Sequence, residues 1–159
     1  QVQLNVGHGM LADVLDRAVI ASGADNGKLA IVRKVGNEAV SVRTDLDRLA
    51  QVFINLISNA AKYCADESPQ LRIIVRQLTG QTVVDFCDNG AGIPSESQSM
   101  IFEKFSRLED EGKAGGAGLG LAICRQIMGA LGGDVTYLPG QGGAAFRVTL
   151  PEAQALAAQ

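Results

Sequence analysis

The chain is poor in the residues that mark several large classes of protein. It has no tryptophan, one histidine, four prolines and three cysteines among 159 residues. The cysteines stand at positions 64, 87 and 124, so no Cys-x-x-Cys pair is available for a zinc site or a redox dithiol. We therefore expect the cysteines to be buried, reduced thiols, as in a cytosolic protein.

Long apolar runs and an excess of positive charge are also missing. The sequence contains no run of 18 apolar residues, and its N-terminus lacks the basic and then apolar pattern of a signal peptide. We expect a soluble domain, and a membrane anchor elsewhere in a longer parent protein is compatible with it. Lysine and arginine total 14 against 17 acidic residues, a net charge of -3, which argues against a nucleic-acid binder.

The length and composition predict one folded domain. A chain of this size buries about 70% of its unfolded surface. Its 47% hydrophobic and 19% charged residues are typical of a globular domain and not of a disordered chain or a coiled coil. We expect the domain to occupy residues 1–151 and the alanine- and glutamine-rich residues 152–159 to form a C-terminal tail.

Glycine is the residue in clear excess. Glycine occupies 19 of the 159 positions. This is nearly twice the share in an average protein, in which glycine makes up about 7% of residues. Fourteen of the glycines lie between Gly80 and Gly143. The main chain there is expected to turn tightly or to approach another group closely.

Hydrophobic periodicity predicts three helices and five or more strands. Helices are expected over 10–22, 46–64 and 119–131, and strands over 28–35, 38–42, 71–78, 81–87, 135–138 and 144–150. The dipeptide Gly36-Asn37 predicts a hairpin-like turn between the first two strands. Together these elements predict an α/β (α+β) two-layer sandwich, with a mixed, mainly antiparallel sheet and three helices on one face.

One edge of the second helix is unusually polar. Asn55 and Asn59 stand one helical turn apart, and Lys62 and Tyr63 follow within the next turn. An amide oxygen is a suitable ligand for Mg²⁺, and an ammonium group can neutralise phosphate charge. A single asparagine is better explained by solvation of a helix edge, but the four residues together favour a nucleotide site.

A carboxylate ends the apolar row of the strand over 81–87. Asp88 follows Val84 and Phe86 on one face, and Gly90 and Gly92 come directly after it. An inward carboxylate needs a donor, which the exocyclic amine of adenine provides, and the glycines admit a flat base close to the main chain. Taken singly, Asp-Asn-Gly is more simply a turn.

Two further segments are candidates for phosphate binding and for a lid. Residues 115–121 read Gly-Gly-Ala-Gly-Leu-Gly-Leu and lead into a helix, so main-chain N–H groups there are available to phosphate oxygens. This segment fits neither a dinucleotide fingerprint nor a Walker A loop. Phe102 and Phe105 lie in a loop that ends in glycine. Two interpretations of this loop are equally favoured, a lid over a ligand and a short helical turn packed in the core. His8 has no acidic or cysteine neighbours and is interpreted as incidental.

These four segments, in this order, resemble the N, G1, F and G2 boxes of the catalytic, ATP-binding domain of sensor histidine kinases. The boxes correspond to residues 51–63, 88–93, 101–105 and 115–121. The wider superfamily includes DNA gyrase, heat-shock chaperone and mismatch-repair ATPases. The resemblance covers nearly the whole chain. Each box alone is weak evidence for the family, but the order and spacing of the four boxes together are specific to it.

The resemblance implies a Bergerat-type fold that holds ATP between the N-box helix and a flexible lid. Asn59 would bind Mg²⁺, Asp88 would bind the adenine amine, and the G2 glycines would hinge the lid and bind phosphates. Phe102 and Phe105 would couple the lid to a partner domain. The ATP-binding residues implied in this way are Asn55, Asn59, Lys62, Tyr63, Asp88, Gly90, Gly92, Ile93, Phe102, Phe105, Gly116, Ala117, Gly118, Leu119 and Gly120.

Three positions refine the resemblance. Hydrolytic members of the superfamily carry a Glu where this chain has Asn55, and an amide is a poor general base, so fast hydrolysis of ATP is not expected. Ala117 stands where many kinases have Ser or Thr, so one hydroxyl contact to phosphate is missing. His8 is followed by glycine and not by the acid and proline of a phosphoacceptor box.

The function implied is transfer of the γ-phosphate of Mg-ATP to a histidine on a dimerisation and phosphoacceptor domain of the same protein, with no catalytic residue assigned within this chain. A response regulator would receive the phosphate next. This domain is expected in the cytoplasm and would contact neither nucleic acid nor membrane, and the implied parent protein is a homodimer with or without a membrane anchor. The alternatives are a nucleotide-binding regulatory or phosphotransfer adaptor without kinase activity, and a serine kinase of the anti-sigma-factor type. The presence of Asp88 and of the G2 glycines argues against the adaptor.

Overall fold

The computed structural model describes residues 3–64, 67–103 and 116–151. This part of the chain contains three α-helices, α1 (Leu11–Ser22), α2 (Leu46–Tyr63) and α3 (Gly116–Ala130). Its seven strands are β1 (Gly7–Met10), β2 (Ala30–Arg33), β3 (Ser41–Thr44), β4 (Gln70–Leu78), β5 (Gln81–Asp88), β6 (Asp134–Tyr137) and β7 (Ala145–Pro151). Short 3₁₀ turns occupy Ala24–Asn26, Val35–Glu38 and Ser95–Met100.

The main sheet has five strands in the order β2-β4-β5-β7-β6. Its strand pairs are antiparallel except for β2 and β4, which run parallel. Strands β1 and β3 form a separate antiparallel pair. The fold class predicted from the sequence, a two-layer sandwich with a mixed and mainly antiparallel sheet, is confirmed.

The core lies between the helices and one face of the main sheet. The ring of Phe53 on α2 packs 5.4 Å from that of Phe86 on β5, which lies opposite Ile73 and Phe146 on the neighbouring strands. Helix α2 buries one apolar face, which consists of Leu49, Ala50, Val52, Phe53, Leu56, Ile57 and Ala60. Residues of the three helices and of the inward sheet face form a single hydrophobic cluster.

Local signals at the helix ends behave as the sequence indicates. The Asp45 carboxylate accepts the main-chain N–H of Arg48 at 3.1 Å and caps α2. Helix α1 ends at Gly23, whose φ of 71° lies in the left-handed region that favours glycine. None of the helices in residues 3–64, 67–103 and 116–151 has the length and apolar character needed to cross a membrane.

The opposite face of the sheet carries an ionic cluster centred on Asp85. This carboxylate is buried, and it accepts two hydrogen bonds from Arg147 at 2.8 and 2.9 Å and one from Arg76 at 3.0 Å. The hydrogen bonds with Asp85 raise the pKa of Arg147. The cluster joins β5 to both of its neighbours, β4 and β7.

The hairpin predicted at Gly36-Asn37 is wrong. These residues lie in the 3₁₀ turn Val35–Glu38, and the flanking strands pair with other partners, β2 with β4 and β3 with β1. The buried Glu38 folds back onto Arg33 in a two-pronged ion pair, with contacts of 2.6 and 3.1 Å. This pair fastens the turn to the end of β2, and the chain then leaves the main sheet.

Other elements also differ from the sequence prediction: β2 covers Ala30–Arg33 and not 28–35, and β3 covers Ser41–Thr44 and not 38–42. Strand β1 was not predicted, because its sequence Gly-His-Gly-Met has none of the β-branched residues that favour strands. Helix α3 begins at Gly116, three residues before the predicted start, so much of the glycine-rich motif forms its first turn. The predicted division between a domain over 1–151 and a tail stays a prediction, since residues 152–159 lie outside the described residues.

Candidate functional site

A cavity of about 300 Å³ opens between α2, α3 and the adjoining ends of β5 and β7. Its apolar walls come from both layers of the sandwich, and three polar side chains reach it, those of Asn59, Tyr63 and Asp88. The apolar side chains of its lining are Leu56, Ala60, Leu71, Phe86, Ala91, Ile93, Pro94, Leu121, Ala144 and Phe146. A mostly apolar cavity with a few fixed polar groups suits a flat heteroaromatic ring.

Asp88 is the acidic group of this cavity, and its orientation is set by the main chain. Its Oδ1 accepts the N–H of Gly90 at 2.9 Å and the N–H of Ala144 at 3.0 Å. No hydrogen bond formed within the described residues goes to Oδ2. The carboxylate therefore keeps one oxygen as an acceptor for a donor group of a ligand.

The two glycines after Asp88 meet different requirements. Gly92 has a φ of 81°, which an L side chain rarely adopts. At Gly90, a Cβ atom would stand 3.3 Å from both the sulfur of Cys64 and Oδ1 of Asp88. Gly92 thus allows the turn, and Gly90 allows the main chain to lie close to the end of α2.

Asn89 fastens the same loop from its outer side, a role that the sequence did not suggest. Its side-chain oxygen accepts the N–H of Gln70 at 2.8 Å and the thiol of Cys64 at 3.2 Å. Its amide nitrogen donates to the carbonyl of Ser68 at 3.0 Å. The loop that carries Gly90 and Gly92 is thereby tied to the start of β4.

The polar edge of α2 divides into two parts. Asn59 and Tyr63 line the cavity, and the Asn59 amide forms no hydrogen bond within the described residues. Asn55 faces α3, where its amide nitrogen lies 3.5 Å from the carbonyl oxygen of Gly120 and 3.7 Å from the sulfur of Cys124. Lys62 is exposed and is not part of the lining.

One of the two contacts of Asn55 is made to the thiol of Cys124, which is neutral. Burial raises the pKa of Cys124 to about 12, against a smaller opposing effect of the hydrogen bond from Asn55. The same thiol also lies 3.8 Å from the carbonyl oxygen of Val52 on α2. Cys124 therefore packs as a small uncharged side chain between the two helices.

The side chains present fit one kind of metal site. Residues 3–64, 67–103 and 116–151 contain no cluster of three or more His, Cys, Asp or Glu side chains able to hold a metal by themselves. Asn59 supplies a hard, uncharged oxygen at the cavity. Such a ligand suits Mg²⁺, which keeps water and phosphate oxygens in most of its coordination positions.

Three aromatic rings, those of Phe102, Tyr137 and Phe146, pack together at the cavity wall. Phe146 lines the cavity, and its ring meets Phe102 at 6.0 Å and Tyr137 at 5.4 Å, both edge to face. The guanidinium of Arg125 lies 4.6 Å from the centre of the Phe102 ring. Phe102 therefore packs against a residue of the cavity lining and is not part of that lining, while Phe105 lies outside the described residues.

Tyr137 also holds the loop after Asp88. Its hydroxyl oxygen accepts the main-chain N–H of Ile93 at 3.2 Å. Neither Tyr137 nor Phe146 was suggested by the sequence as part of the site. The only available signal was their place on two neighbouring strands that end at the glycine-rich turn over 138–144.

The G2 segment lies at the N-terminus of α3. The main chain of Gly116, Ala117, Gly118 and Leu119 forms the first turn of this helix, and Gly120 follows. The first N–H groups of a helix have no partner within it and can bind phosphate oxygens. The preceding residue, Gly115, lies outside the described residues.

The structure thus gathers six of the predicted residues in one cavity. They are Asn59, Tyr63, Asp88, Gly90, Gly92 and Ile93. Asn55, Lys62 and Phe102 lie outside its lining, as does Gly120. The role of each of these residues toward a nucleotide stays a prediction.

Comparison with known proteins points to one family. A family model described as histidine kinase-, DNA gyrase B- and HSP90-like ATPase matches residues 44–154. The adaptive-response sensory kinase SasA of Crocosphaera subtropica (strain ATCC 51142 / BH68) is 41% identical over 127 residues, which are 77% of this chain and 32% of that protein.

Solved structures agree with this match. The catalytic domain of histidine kinase ThkA superposes with a TM-score of 0.80 at 24% identity, over 94% of this chain and 97% of that one. Full-length ShkA, solved in complex with AMPPNP, gives a TM-score of 0.78 at 26% identity, over 96% of this chain and 32% of that one. The chain spans about a third of the length of SasA and of ShkA.

Proposed function

Because the chain belongs to the family of histidine kinase-, DNA gyrase B- and HSP90-like ATPases and is a catalytic domain of the sensor histidine kinase type, we propose that its parent protein transfers the γ-phosphate of ATP to a histidine. The acceptor would lie on a dimerisation and phosphoacceptor domain of the same protein, and a response regulator would receive the phosphate from it. The parent protein would act as a homodimer, with this domain in the cytoplasm.

One observation carries the nucleotide part of the proposal. The carboxylate of Asp88 lines an apolar cavity, with Oδ1 occupied by two main-chain N–H groups and Oδ2 left as an acceptor. The exocyclic amine of adenine is a donor of the right kind for Oδ2. The flat purine ring would lie among the apolar walls, beside the main chain of Gly90 and Gly92.

The phosphate end of the nucleotide would lie toward Asn59 and the N-terminus of α3. Asn59 would supply an oxygen ligand to Mg²⁺ from α2. When bound, Mg²⁺ would neutralise charge on the phosphate oxygens. The first turn of α3 would contribute main-chain N–H groups, and Lys62 would add a positive charge near the cavity mouth.

Transfer to a side chain is favoured over hydrolysis by the residue at position 55. An amide is a poor general base, so Asn55 would not activate a water molecule. Its position against Gly120 and Cys124 supports a structural contact with α3. The protein would then contribute alignment of the γ-phosphate and charge neutralisation.

The proposal is tested by transfer of labelled phosphate. The chain is incubated with Mg²⁺, ATP labelled at the γ-phosphate, and the phosphoacceptor domain of its parent protein. We expect a labelled acceptor whose phosphate is lost in acid, as for a phosphoramidate. The matched control is the same acceptor with its histidine replaced by glutamine, which must stay unlabelled.

Other outcomes point to the other candidates. Acid-stable label on a serine-bearing antagonist would identify a serine kinase. Binding of ATP without transfer to either acceptor would identify a regulatory or adaptor module. Absence of ATP binding would remove the nucleotide site itself.

A further inference from the structure

Gly143 stands in the turn before β7, one residue ahead of Ala144, and lies against Asp88. A Cβ atom at position 143 would overlap the main-chain oxygen of Asp88 and would lie 2.7 Å from its Oδ1. Real Cβ atoms do not approach other atoms so closely. Glycine is required here for space, whereas Gly142 and Gly140 are required by φ angles of 87° and 80° with open space around them.

The close approach is produced by two hydrogen bonds that join the ends of β5 and β7. Ala144 donates its N–H to Oδ1 of Asp88 at 3.0 Å, and the N–H of Asp88 donates to the carbonyl of Ala144 at 2.9 Å. Both bonds need the main chain at 143–144 to lie directly against Asp88. A side chain at 143 would separate the two segments and lengthen both bonds.

These contacts decide which carboxylate oxygen faces the ligand. Because Gly90 and Ala144 both donate to Oδ1, rotation of the carboxylate would break two hydrogen bonds at once. Oδ2 is consequently held as the acceptor at the cavity. Loss of the Ala144 bond would leave the carboxylate held by Gly90 alone.

We propose that Gly143 is a positioning residue for recognition of the nucleotide base, which lets the main chain of Ala144 orient Asp88 toward the amine of adenine. The residue acts through Asp88 and touches no ligand itself. This inference rests on the proposed function, because it takes adenine as the base in the cavity. It adds a specificity determinant that lies outside the four sequence motifs.

The test compares ATP with inosine triphosphate, which carries an oxygen in place of the exocyclic amine. Binding of each to the full chain is measured by titration. In Gly143→Ala we expect the dissociation constant for ATP to rise about tenfold, while that for inosine triphosphate changes less than about twofold. The preference for adenine therefore falls.

A matched control is available where β7 pairs with its other neighbour, β6. At Gly133 a Cβ atom would overlap the main-chain oxygen of Thr149, far along β7 from Asp88. Gly133→Ala introduces a comparable overlap and is expected to lower thermal stability without changing the ratio of the two affinities. A folded Gly143→Ala with an unchanged ratio, or an equal loss of ratio in Gly133→Ala, would overturn the proposal.

A double-mutant cycle tests the route through Asp88. In an Asp88→Ala background, Gly143→Ala is expected to have no further effect on the ratio, and a further loss would contradict the inference. If Gly143→Ala does not fold, Ala144→Pro removes the same N–H donor while position 143 stays glycine, and the same fall in ratio is expected. Rapid hydrogen exchange of the Ala144 amide in the unmodified chain would also overturn the proposal.

Measurements on the unmodified chain distinguish failure of the proposed function from failure of the inference about Gly143. If it binds ATP no better than inosine triphosphate, the assignment of adenine to this cavity fails, and the proposed function is overturned together with the inference. If it prefers ATP and only the variants behave otherwise than expected, the role of Gly143 alone is wrong.

Discussion

The carboxylate of Asp88 accepts the main-chain N–H of Ala144, which lies 56 residues later in the chain, at 3.0 Å. With the N–H of Gly90 on the same oxygen, the carboxylate is oriented by two main-chain groups from different loops. A side chain whose orientation depends on the main chain is well suited to discriminate between ligands, because reorientation costs hydrogen bonds.

Replacement of this carboxylate by an amide should reverse the preference of the cavity. In Asp88→Asn the side-chain oxygen is expected to keep the two main-chain donors, which puts the NH₂ group where Oδ2 was. A donor would then face the amine of adenine. We expect ATP affinity to fall by about 10- to 100-fold, as for loss of a charged hydrogen bond of roughly 1.5–3 kcal/mol.

The measurement is a titration with ATP and with inosine triphosphate. The latter should lose less affinity or gain some, because its 6-oxo group accepts a hydrogen bond. Equal losses for both nucleotides would show that position 88 does not contact this part of the base.

Removal of the Asn59 amide should affect only the metal-dependent part of nucleotide binding. In Asn59→Ala the oxygen ligand proposed for Mg²⁺ is lost, while the base cavity keeps its other walls. We expect ATP binding by the variant to be the same with Mg²⁺ as with a chelator, because the metal no longer links the phosphates to α2.

Isothermal titration with and without Mg²⁺ measures this difference. Asn37→Ala, at an exposed asparagine in the 3₁₀ turn Val35–Glu38, serves as the control and should keep the full effect of Mg²⁺. An Asn59→Ala variant that still binds ATP more tightly with Mg²⁺ would contradict the assignment.

Loss of the Tyr137 hydroxyl should loosen the loop after Asp88. In Tyr137→Phe the N–H of Ile93 loses its acceptor, while the ring keeps its edge-to-face contact with Phe146. A half-buried donor without a partner costs about 1 kcal/mol, which corresponds to a fall of roughly 2–4 °C in Tm for a domain of this size. ATP affinity should fall severalfold, because Ile93 lines the cavity.

Thermal unfolding and nucleotide titration measure the two effects. Thr136→Val removes a hydroxyl from the adjacent residue on the opposite face of β6, and it should leave ATP affinity unchanged. Full ATP affinity in Tyr137→Phe would mean that the loop is held by other contacts.

The buried thiol of Cys124 predicts a specific loss of stability in alkali. Burial raises its pKa to about 12, whereas a thiol in the unfolded chain ionises near pH 8.5. Above that pH the unfolded state loses its proton first and is favoured. The contribution of Cys124 is therefore full below about pH 8 and falls by about 1.4 kcal/mol per pH unit between about pH 9 and 12.

Urea unfolding of the natural chain and of Cys124→Ala at several pH values gives this contribution as a difference. At neutral pH the natural chain should be more stable, because alanine leaves a cavity between α2 and α3. The difference in the free energy of unfolding between the natural chain and Cys124→Ala should become smaller above pH 9. Parallel pH profiles of the two proteins would show that the thiol titrates alike in both states.

Much of the fold followed from local pattern. Helix α2 and the β4–β5 hairpin were predicted within one residue of their observed ends, because their hydrophobic periods are unbroken. The pairing of β2 and β3 was wrong, since a turn dipeptide was taken as evidence of a hairpin. Their true partners, β4 and β1, lie elsewhere in the chain.

The residues of the candidate site also fall into those that the sequence predicted and those that only the structure revealed. Asn59, Asp88, Gly90 and Gly92 belong to short motifs and were predicted from the sequence, and the structure places them at one cavity. Gly143 was not singled out, because the sequence does not distinguish a glycine needed for a left-handed turn from one needed for a close contact. Asn55 and Asn59 likewise share a helix edge in sequence, although only Asn59 reaches the cavity.

The sequence by itself determined the helices, most of the strands and the order of the four motifs, because periodicity and short motifs depend on neighbours along the chain. Only the tertiary structure decided which strands pair, which asparagine lines the cavity and how Asp88 is oriented. These depend on distances between residues far apart in sequence, such as the 56 residues that separate Asp88 from Ala144, and packing of the whole chain sets such distances.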